Sequence, residues 1–430
     1  MTDQEIEQNT ERATSRHGRL RRSSAWRNVA RVLVTTALVG VLSGVSVAAY
    51  AVWGLVRDVD TVDLGTESAE AIGAGQQSID GAFTILLVGS DSRAGQSIDD
   101  GEEGELNDVT LVLNVSEDHQ NATVMSFPRD LMVPFPSCPG PKGEEDYYPA
   151  MSEQQFNSSL QYGGLPCTAR VVEELTGLDI DYAGLVTFDG VIGVSKAIGG
   201  VDVCLAQPIV DPKADLDLPA GDVSLVGTEA LQFLRTRAGV GDGGDVSRIS
   251  NQQIFMSALI RQLKSAETLA DPVKVYGLAK AGVENMTLSS NMASVQFMQA
   301  LAGTVKDIDL DRINFVQYPT TEHPYQEGRL LPDRESAQLV LDLIESGQPF
   351  EVTGRGQAVD ESASDDPEGV PAETEAPAET EAPAETEAPA EGGETPAPTE
   401  EANDTPVQLP ENITGQGAAA ETCSAGRTMY

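Results

Sequence analysis

The sequence predicts an α/β fold: a central sheet covered by helices on both faces, preceded by one membrane-spanning helix and followed by a disordered acidic tail. Three observations predict it. Short β-rich runs alternate with stretches of helical apolar spacing over roughly residues 80–350. An uncharged run of 25 residues, 32–56, precedes them, and an acidic stretch free of Lys and Arg follows them.

Residues 1–31 form a basic segment containing Arg12, Arg16, Arg19, Arg21, Arg22, Arg27 and Arg31. Residues 32–56, "VLVTTALVGVLSGVSVAAYAVWGLV", would rise about 1.5 Å per residue as a helix, more than enough to cross a hydrocarbon core of roughly 30 Å. A cleaved signal peptide, the competing reading, has a shorter apolar region ending at small residues. Trp53 sits near the outer end as an interfacial anchor, and the excess of Arg before the span predicts a cytoplasmic amino terminus. The chain after residue 57 is then extracytoplasmic, with residues 57–80 as a linker.

Within residues 81–350, β-rich runs fall at 83–88, 109–115, 122–127, 182–188, 201–205 and 312–318. "TARVVEELTG" and "FDGVIGVSKAIGG" carry helical spacing, with Gly177 and Gly199 placed as caps. A Gly-rich loop, "GVGDGG", leads into a further helix whose buried side is Ile249, Phe255, Met256, Leu259, Ile260 and Leu263. From Asp360 to Asp404 there are 16 acidic residues and three "PAETEA" repeats, too little apolar area to offset the entropy of ordering. Residues 351–430 are accordingly expected to be a disordered tail.

The net charge of −41 makes nucleic acid a poor partner. Only His17, His119 and His323 are available, which leaves little for histidine catalysis. Four cysteines in an oxidising compartment permit disulfides, and none has zinc-site spacing. Cys138 and Cys167, both in Pro-containing loops, make the favoured pair; Cys204 reads as a small apolar residue closing a strand, and Cys423 lies beyond the acidic stretch.

Chemistry is carried by arginines and two acids. Arg129 follows a strand in "SFPRDL". Arg235 and Arg237 in "LQFLRTRAG" would diverge by about 200° on a helix but share a face if extended. Arg248 and Gln252 are four apart, on one side of the predicted helix, free to face a cleft. Guanidinium forks at strand ends and a helix start suit a pyrophosphate. Asp91, two residues before Arg93, and Asp108 each stand at a strand edge, and two carboxylates with substrate phosphate are a usual Mg²⁺ set.

The segments "ILLVGSDSR", "NDVTLVLNVS", "VMSFPRD", "FNSSLQYGG", "IGGVDVCL", "LRTR" and "DVSRISNQQ", in this order, resemble the LytR-CpsA-Psr (LCP) family of cell-wall glycopolymer ligases. The resemblance implies a three-layer α/β/α domain with a central mixed sheet on a single membrane anchor. It also implies transfer of a glycopolymer from an undecaprenyl-pyrophosphate carrier to peptidoglycan, as a phosphodiester. By motif, Asp91 and Asp108 match metal-associated acids and, with Arg93, form the catalytic set. Arg129, Arg235, Arg237, Arg248 and Gln252 match pyrophosphate-holding positions.

Two departures remove positive charge: Leu106 stands where the family commonly has Arg, and Gln155 where it has Lys. Two other readings use the same features. A hydrolase of lipid-linked pyrophosphates would share the charge clamp and admit water, and a non-catalytic envelope scaffold would bind without turnover.

Overall fold

The computed structural model describes residues 26, 28–36, 38, 39, 43, 54, 59–65, 76, 78–92, 96, 105–140, 143–265, 268, 271–360 and 405–427. Two units divide the chain, residues 1–54 and 55–430. In the first, the described residues 28–36 are helical and exposed. Among the described residues no helix is long and apolar enough to cross a membrane. The predicted span 32–56 lies mostly outside them, as do Arg93 and residues 361–404.

The second unit is built on strands β1 (Asp60–Val62), β2 (Phe83–Ser90), β3 (Asn107–Val115), β4 (Ala122–Phe127) and β5 (Tyr182–Val186). Further along come β6 (Val201–Leu205), β7 (Gly221–Leu225), β8 (Met286–Ser289) and β9 (Ile313–Gln317). A hairpin of β10 (Thr320–Glu322) and β11 (Leu330–Pro332) follows, then β12 (Gly354–Arg355), β13 (Thr414–Gly417) and β14 (Cys423–Ser424). Nine of these form one mixed sheet in the order β1-β8-β5-β2-β3-β4-β9-β13-β12. Pairings β5–β2 and β4–β9 are parallel, whereas β2–β3 and β3–β4 are antiparallel.

The helices are α1 (Ser159–Thr176), α2 (Phe188–Ile198), α3 (Thr228–Arg235), α4 (Asp245–Lys264), α5 (Pro272–Glu284), α6 (Val295–Asp307) and α7 (Arg334–Ser346). Gly177 and Gly199 close α1 and α2 in the left-handed region, at φ 78° and 91°. Thr187 opens α2 by accepting the Gly190 N–H.

Alternation along β2 explains the layers. Leu86 and Val88 point into one core, with Val171 and Val172 of α1 and Val340 and Ile344 of α7. Phe83, Ile85 and Leu87 point into the other, with Met256 and Ile260 of α4 and Phe297 and Ala300 of α6. Buried on both faces, this strand reads as a continuous apolar run. The 201–205 strand, expected with the others, instead pairs with β7 and β14 in a separate three-stranded sheet packed on α4.

Two expectations are corrected here. Residues 351–360 and 405–427 are not a free tail: β12 and β13 extend the main sheet beside β9, and Leu409 and Ile413 are buried at 2% and 0% exposure. A segment too short for its own core completes an existing one. Cys204 is not a lone apolar residue but is bonded to Cys423, with Cα atoms 4.5 Å apart across the β6–β14 pairing. Cys138 and Cys167 form the expected disulfide, Cα to Cα 5.1 Å, although they sit on a short strand and on α1 rather than in loops.

Candidate active site

The site lies where β2, β3 and β4 end beside the start of α4. In the β2–β3 ladder Gly89 pairs with Val109 and Ser90 with Asn107, so Asp108 is the extra residue of a β-bulge. A bulge re-aims the side chain it carries. Asn107, fully buried, donates to Thr110 Oγ1 at 3.0 Å and accepts from Ser159 of α1 at 3.3 Å, which fixes the bulge from behind.

Asp108 Oδ1 is 2.6 Å from Arg129 Nη1 and 3.9 Å from both Arg237 Nη2 and Arg248 Nη1. Arg248 Nη2 also donates to the Asp108 carbonyl at 2.7 Å. A second carboxylate, Asp245, stands 2.7 Å from Arg248 Nη2, 3.8 Å from Arg129 Nε and 3.9 Å from Arg237 Nε. Being the first residue of α4, it also sits at the positive end of the helix dipole. Asp130 is a third carboxylate, 3.7 Å from Arg129 Nε and itself paired with Arg329, so four guanidinium groups meet three carboxylates.

Arg248 and Asp245 are withdrawn from water, at 4% and 7% side-chain exposure, while Asp108, Arg129 and Arg237 are part-exposed at 20%, 23% and 32%. Burial pushes the Asp108 carboxyl up, but Arg248, Arg129 and Arg237 together outweigh it and hold it below its ordinary value. Burial, with Arg248 and Arg129 as like-charged neighbours, presses Arg237 the other way, below the usual guanidinium value. Arg129 Nε, Arg248 Nε and Asp245 Oδ1 are all buried without an aligned hydrogen-bond partner among the described residues, Arg129 Nε facing Asp130 and Asp245 only at 3.7 and 3.8 Å. Unused buried donors are costly, and an anion's oxygens would supply acceptors to the two guanidinium nitrogens.

Of the positions named from sequence, Asp108, Arg129, Arg237 and Arg248 converge. Asp91 follows β2 at the end of the same strand pair: its N–H bonds to the Leu106 carbonyl at 3.1 Å and its Oδ1 accepts the Leu106 N–H at 2.7 Å. Arg235 and Arg237 do not act as a pair. Arg235 ends α3 and lays its guanidinium 4.7 Å from the centre of the Phe188 ring, a cation–π contact, while Arg237 turns to the carboxylates. Gln252 donates to the Leu234 carbonyl at 2.9 Å and presents its side to a cavity. Arg93 lies outside the described residues.

That cavity, of about 310 Å³, is lined almost wholly by apolar groups, among them Val186, Phe188, Val191, Leu231, Met256 and Leu259. Asp108 and Arg248 stand in its wall, so an apolar chamber opens onto the charged cluster. "FDGVIGVSKAIGG" supplies one side of it through α2.

Sequence reasoning missed Asp245. Its signal was present: an acid at a helix start, three residues before Arg248, in "GGDVSR". Gln155, which replaces a family Lys, donates to Asp130 at 2.7 Å, and Asp130 is also paired with Arg329.

Comparison with known proteins agrees with this architecture. The model of the LytR_cpsA_psr family matches residues 58–339. The cell wall biosynthesis protein LcpA of Corynebacterium glutamicum is 30% identical over 300 residues, 63% of this chain and 57% of that protein. The polyisoprenyl-teichoic acid–peptidoglycan teichoic acid transferase TagV of Bacillus subtilis is 28% identical over 265 residues, 58% of this chain and 63% of that protein. The chain thus spans somewhat over half the length of these two relatives. The crystal structure of protein gbs0355 from Streptococcus agalactiae shares the fold, with a TM-score of 0.51 at 19% identity over 62% of this chain and 87% of that one.

Proposed function

From the premise that the chain belongs to the LytR_cpsA_psr family, we propose that it is a membrane-anchored, extracytoplasmic phosphotransferase. It moves a glycopolymer from an undecaprenyl-pyrophosphate carrier to peptidoglycan and forms a phosphodiester. One observation carries this reading: the guanidinium groups of Arg129, Arg237 and the buried Arg248 converge at the mouth of an apolar chamber. A lipid pyrophosphate has the matching halves, an apolar chain and an anionic head.

In the reaction a hydroxyl of the acceptor attacks the phosphorus nearest the glycan. A new P–O bond forms, the bridging P–O bond breaks, and polyprenyl phosphate leaves with the electron pair. The hydroxyl proton passes to phosphate oxygen or water. Arg129, Arg237 and Arg248 hold the phosphate oxygens and stabilise the charge that develops, which is most of what phosphoryl transfer requires of a protein. Phe188, Val191 and their neighbours exclude water from the lipid side.

Asp108 is already countered by the arginines, and a cation held by carboxylates at this strand end would add to the positive charge that meets a pyrophosphate. Asp91 and Asp108, at one end of one strand pair, offer the hard oxygen donors that Mg²⁺ takes together with substrate phosphate. Held there, Mg²⁺ would neutralise phosphate charge.

The test incubates the full-length protein in detergent with a short lipid-pyrophosphate glycan and peptidoglycan, with and without Mg²⁺, and repeats it with Asp91→Ala and Arg237→Ala. Transfer that needs Mg²⁺ and is lost in both folded variants is the expected result. Release of polyprenyl phosphate without acceptor at an equal rate would convert the reading to hydrolysis, and binding without turnover would convert it to a scaffold.

A further inference from the structure

Asp130, the residue after Arg129, is shared between two arginines. Its Oδ2 lies 3.7 Å from Arg129 Nε, while its Oδ1 pairs with Arg329 and accepts from Gln155 Nε2 at 2.7 Å. Gln155 is neutral, so among the described residues Arg329 is the one cation that offsets Asp130 without also meeting Asp108 or Asp245.

The fold brings Arg329 there across a sequence separation of 199. Leu330 N–H donates to the Asp130 carbonyl at 3.1 Å, and Leu131 and Leu330 pair in a parallel bridge, so the β10–β11 hairpin is fastened to the chain just after Arg129. Its loop has a set shape. His323 N–H donates to the Arg329 carbonyl at 2.8 Å, Arg329 N–H donates to the Gln326 carbonyl at 3.2 Å, and Gln326 Nε2 donates to Glu153 at 3.2 Å. Gly328 makes the turn between them at φ 74°, a conformation that costs glycine little.

What Asp130 would do without this partner decides its bearing on the site. Its side chain is 18% exposed, and a carboxylate so far withdrawn from water needs a counter-charge. The next guanidinium in reach is that of Arg129, whose Nε faces Asp130 and Asp245 without an aligned bond to either. A shift of about 1 Å would bring Asp130 to the roughly 2.8 Å of a charge-assisted hydrogen bond. Such a bond would turn the part-exposed fork of Arg129 toward Asp130 and neutralise it there. A phosphate would then compete with a third carboxylate for the same guanidinium.

We propose that Arg329 is a positioning residue: by pairing with Asp130 it keeps that carboxylate from claiming Arg129, whose fork stays open to the pyrophosphate. Arg329 itself meets no phosphate and acts through Asp130 and Arg129. This role rests on the phosphotransferase reading.

The experiment titrates the full-length protein in detergent with a short-chain polyprenyl pyrophosphate. It compares the wild type with Arg329→Met, Arg329→Lys and a double variant, Arg329→Met with Asp130→Asn, each shown to be folded by denaturant unfolding. Arg329→Met is expected to weaken binding about tenfold, the loss of roughly one charge-assisted hydrogen bond from Arg129. Arg329→Lys keeps a cation on Asp130 and should stay within about threefold of the wild type. The double variant removes the competing carboxylate together with its partner, so most of the wild-type affinity should return. A merely structural role for the pair predicts the reverse, with two replacements no better than one. Wild-type affinity in Arg329→Met, or a double variant that binds no tighter than Arg329→Met, overturns the proposal and leaves the phosphotransferase reading standing. No affinity for the pyrophosphate in the wild type removes that reading, and the proposal with it.

Discussion

Arg248 holds Asp108 at two points: Nη2 donates to its carbonyl at 2.7 Å while Nη1 faces its carboxylate at 3.9 Å. The same Nη2 is 2.7 Å from Asp245, one turn back on α4. One guanidinium therefore locks the helix start to the strand bulge, and sets both acids relative to the other arginines.

Arg248→Lys is expected to lower transfer by about 10²-fold or more, because a single ammonium cannot reproduce contacts made by two nitrogens of a rigid fork. Stability should fall by about 1–3 kcal/mol, since the charge stays buried with poorer pairing. Steady-state kinetics and denaturant unfolding check the two effects; equal activity in the two proteins would remove Arg248 from the phosphate site.

Asp108 gives a prediction in pH. Its folded value lies below the ordinary 3.8, because the arginines outweigh burial. The ionised form therefore adds stability above about pH 4, and this is lost as pH falls through the folded value. Asp108→Asn should cost about 2 kcal/mol at neutral pH, and its unfolding curve should converge on that of the wild type in strong acid. A gap that is constant from pH 7 to pH 2 would show that the carboxylate charge is not what stabilises the site.

Much of this site was legible from residue order, and the reason is physical. Apolar runs bounded by Asp91, Asp108 and Arg129 mark strand ends, where backbone pairing stops and side chains are free to converge. Arg248 and Gln252 follow from helical spacing. What was not legible depends on tertiary contacts: the bulge at Asp108 exists only in the ladder with β2, and Asp245 reads as an ordinary helix-start acid until Arg129 and Arg237 are folded against it. The role of α2 as a cavity wall was not legible because an apolar wall and an apolar core have the same composition. The strands at 407–424 were obscured because a two- to four-residue strand completing another segment's sheet carries no periodicity of its own.

The apolar cavity predicts dependence on chain length. Val191, on its α2 wall, is partly buried and faces the space. Val191→Trp would fill part of the chamber without touching the arginines. Affinity for a long polyprenyl pyrophosphate should fall tenfold or more, while a ten-carbon analogue should bind as before. Equal losses for both lengths would mean that the cavity does not house the chain.

The Cys204–Cys423 bond closes a sequence separation of 219, against 29 for Cys138–Cys167. On the chain-entropy account the longer loop contributes about 5 kcal/mol and the shorter about 3.5, so Cys204→Ser with Cys423→Ser should lower denaturant stability by more than the other double replacement. Activity should respond too, through the segment the bond anchors. Arg427 N–H donates to the Gly239 carbonyl at 2.7 Å, Gly241 N–H to the Ala425 carbonyl at 3.2 Å, and Ser424 Oγ to Asn251 of α4 at 2.7 Å. These bonds brace the loop between Arg237 and Asp245, in which Gly241 takes φ 46° and a Cβ would stand 2.5 Å from Ser247 Oγ. With the bond gone, β14 is held by a two-residue pairing and these hydrogen bonds alone, and the support of the loop carrying Arg237 weakens. The expected outcome is a fall in kcat at temperatures where the double-serine protein is still folded, with little effect from replacing Cys138 and Cys167, whose bond joins a short strand to α1. Unchanged kcat in a folded protein lacking Cys204 and Cys423 would show that the loop sets itself without the strap.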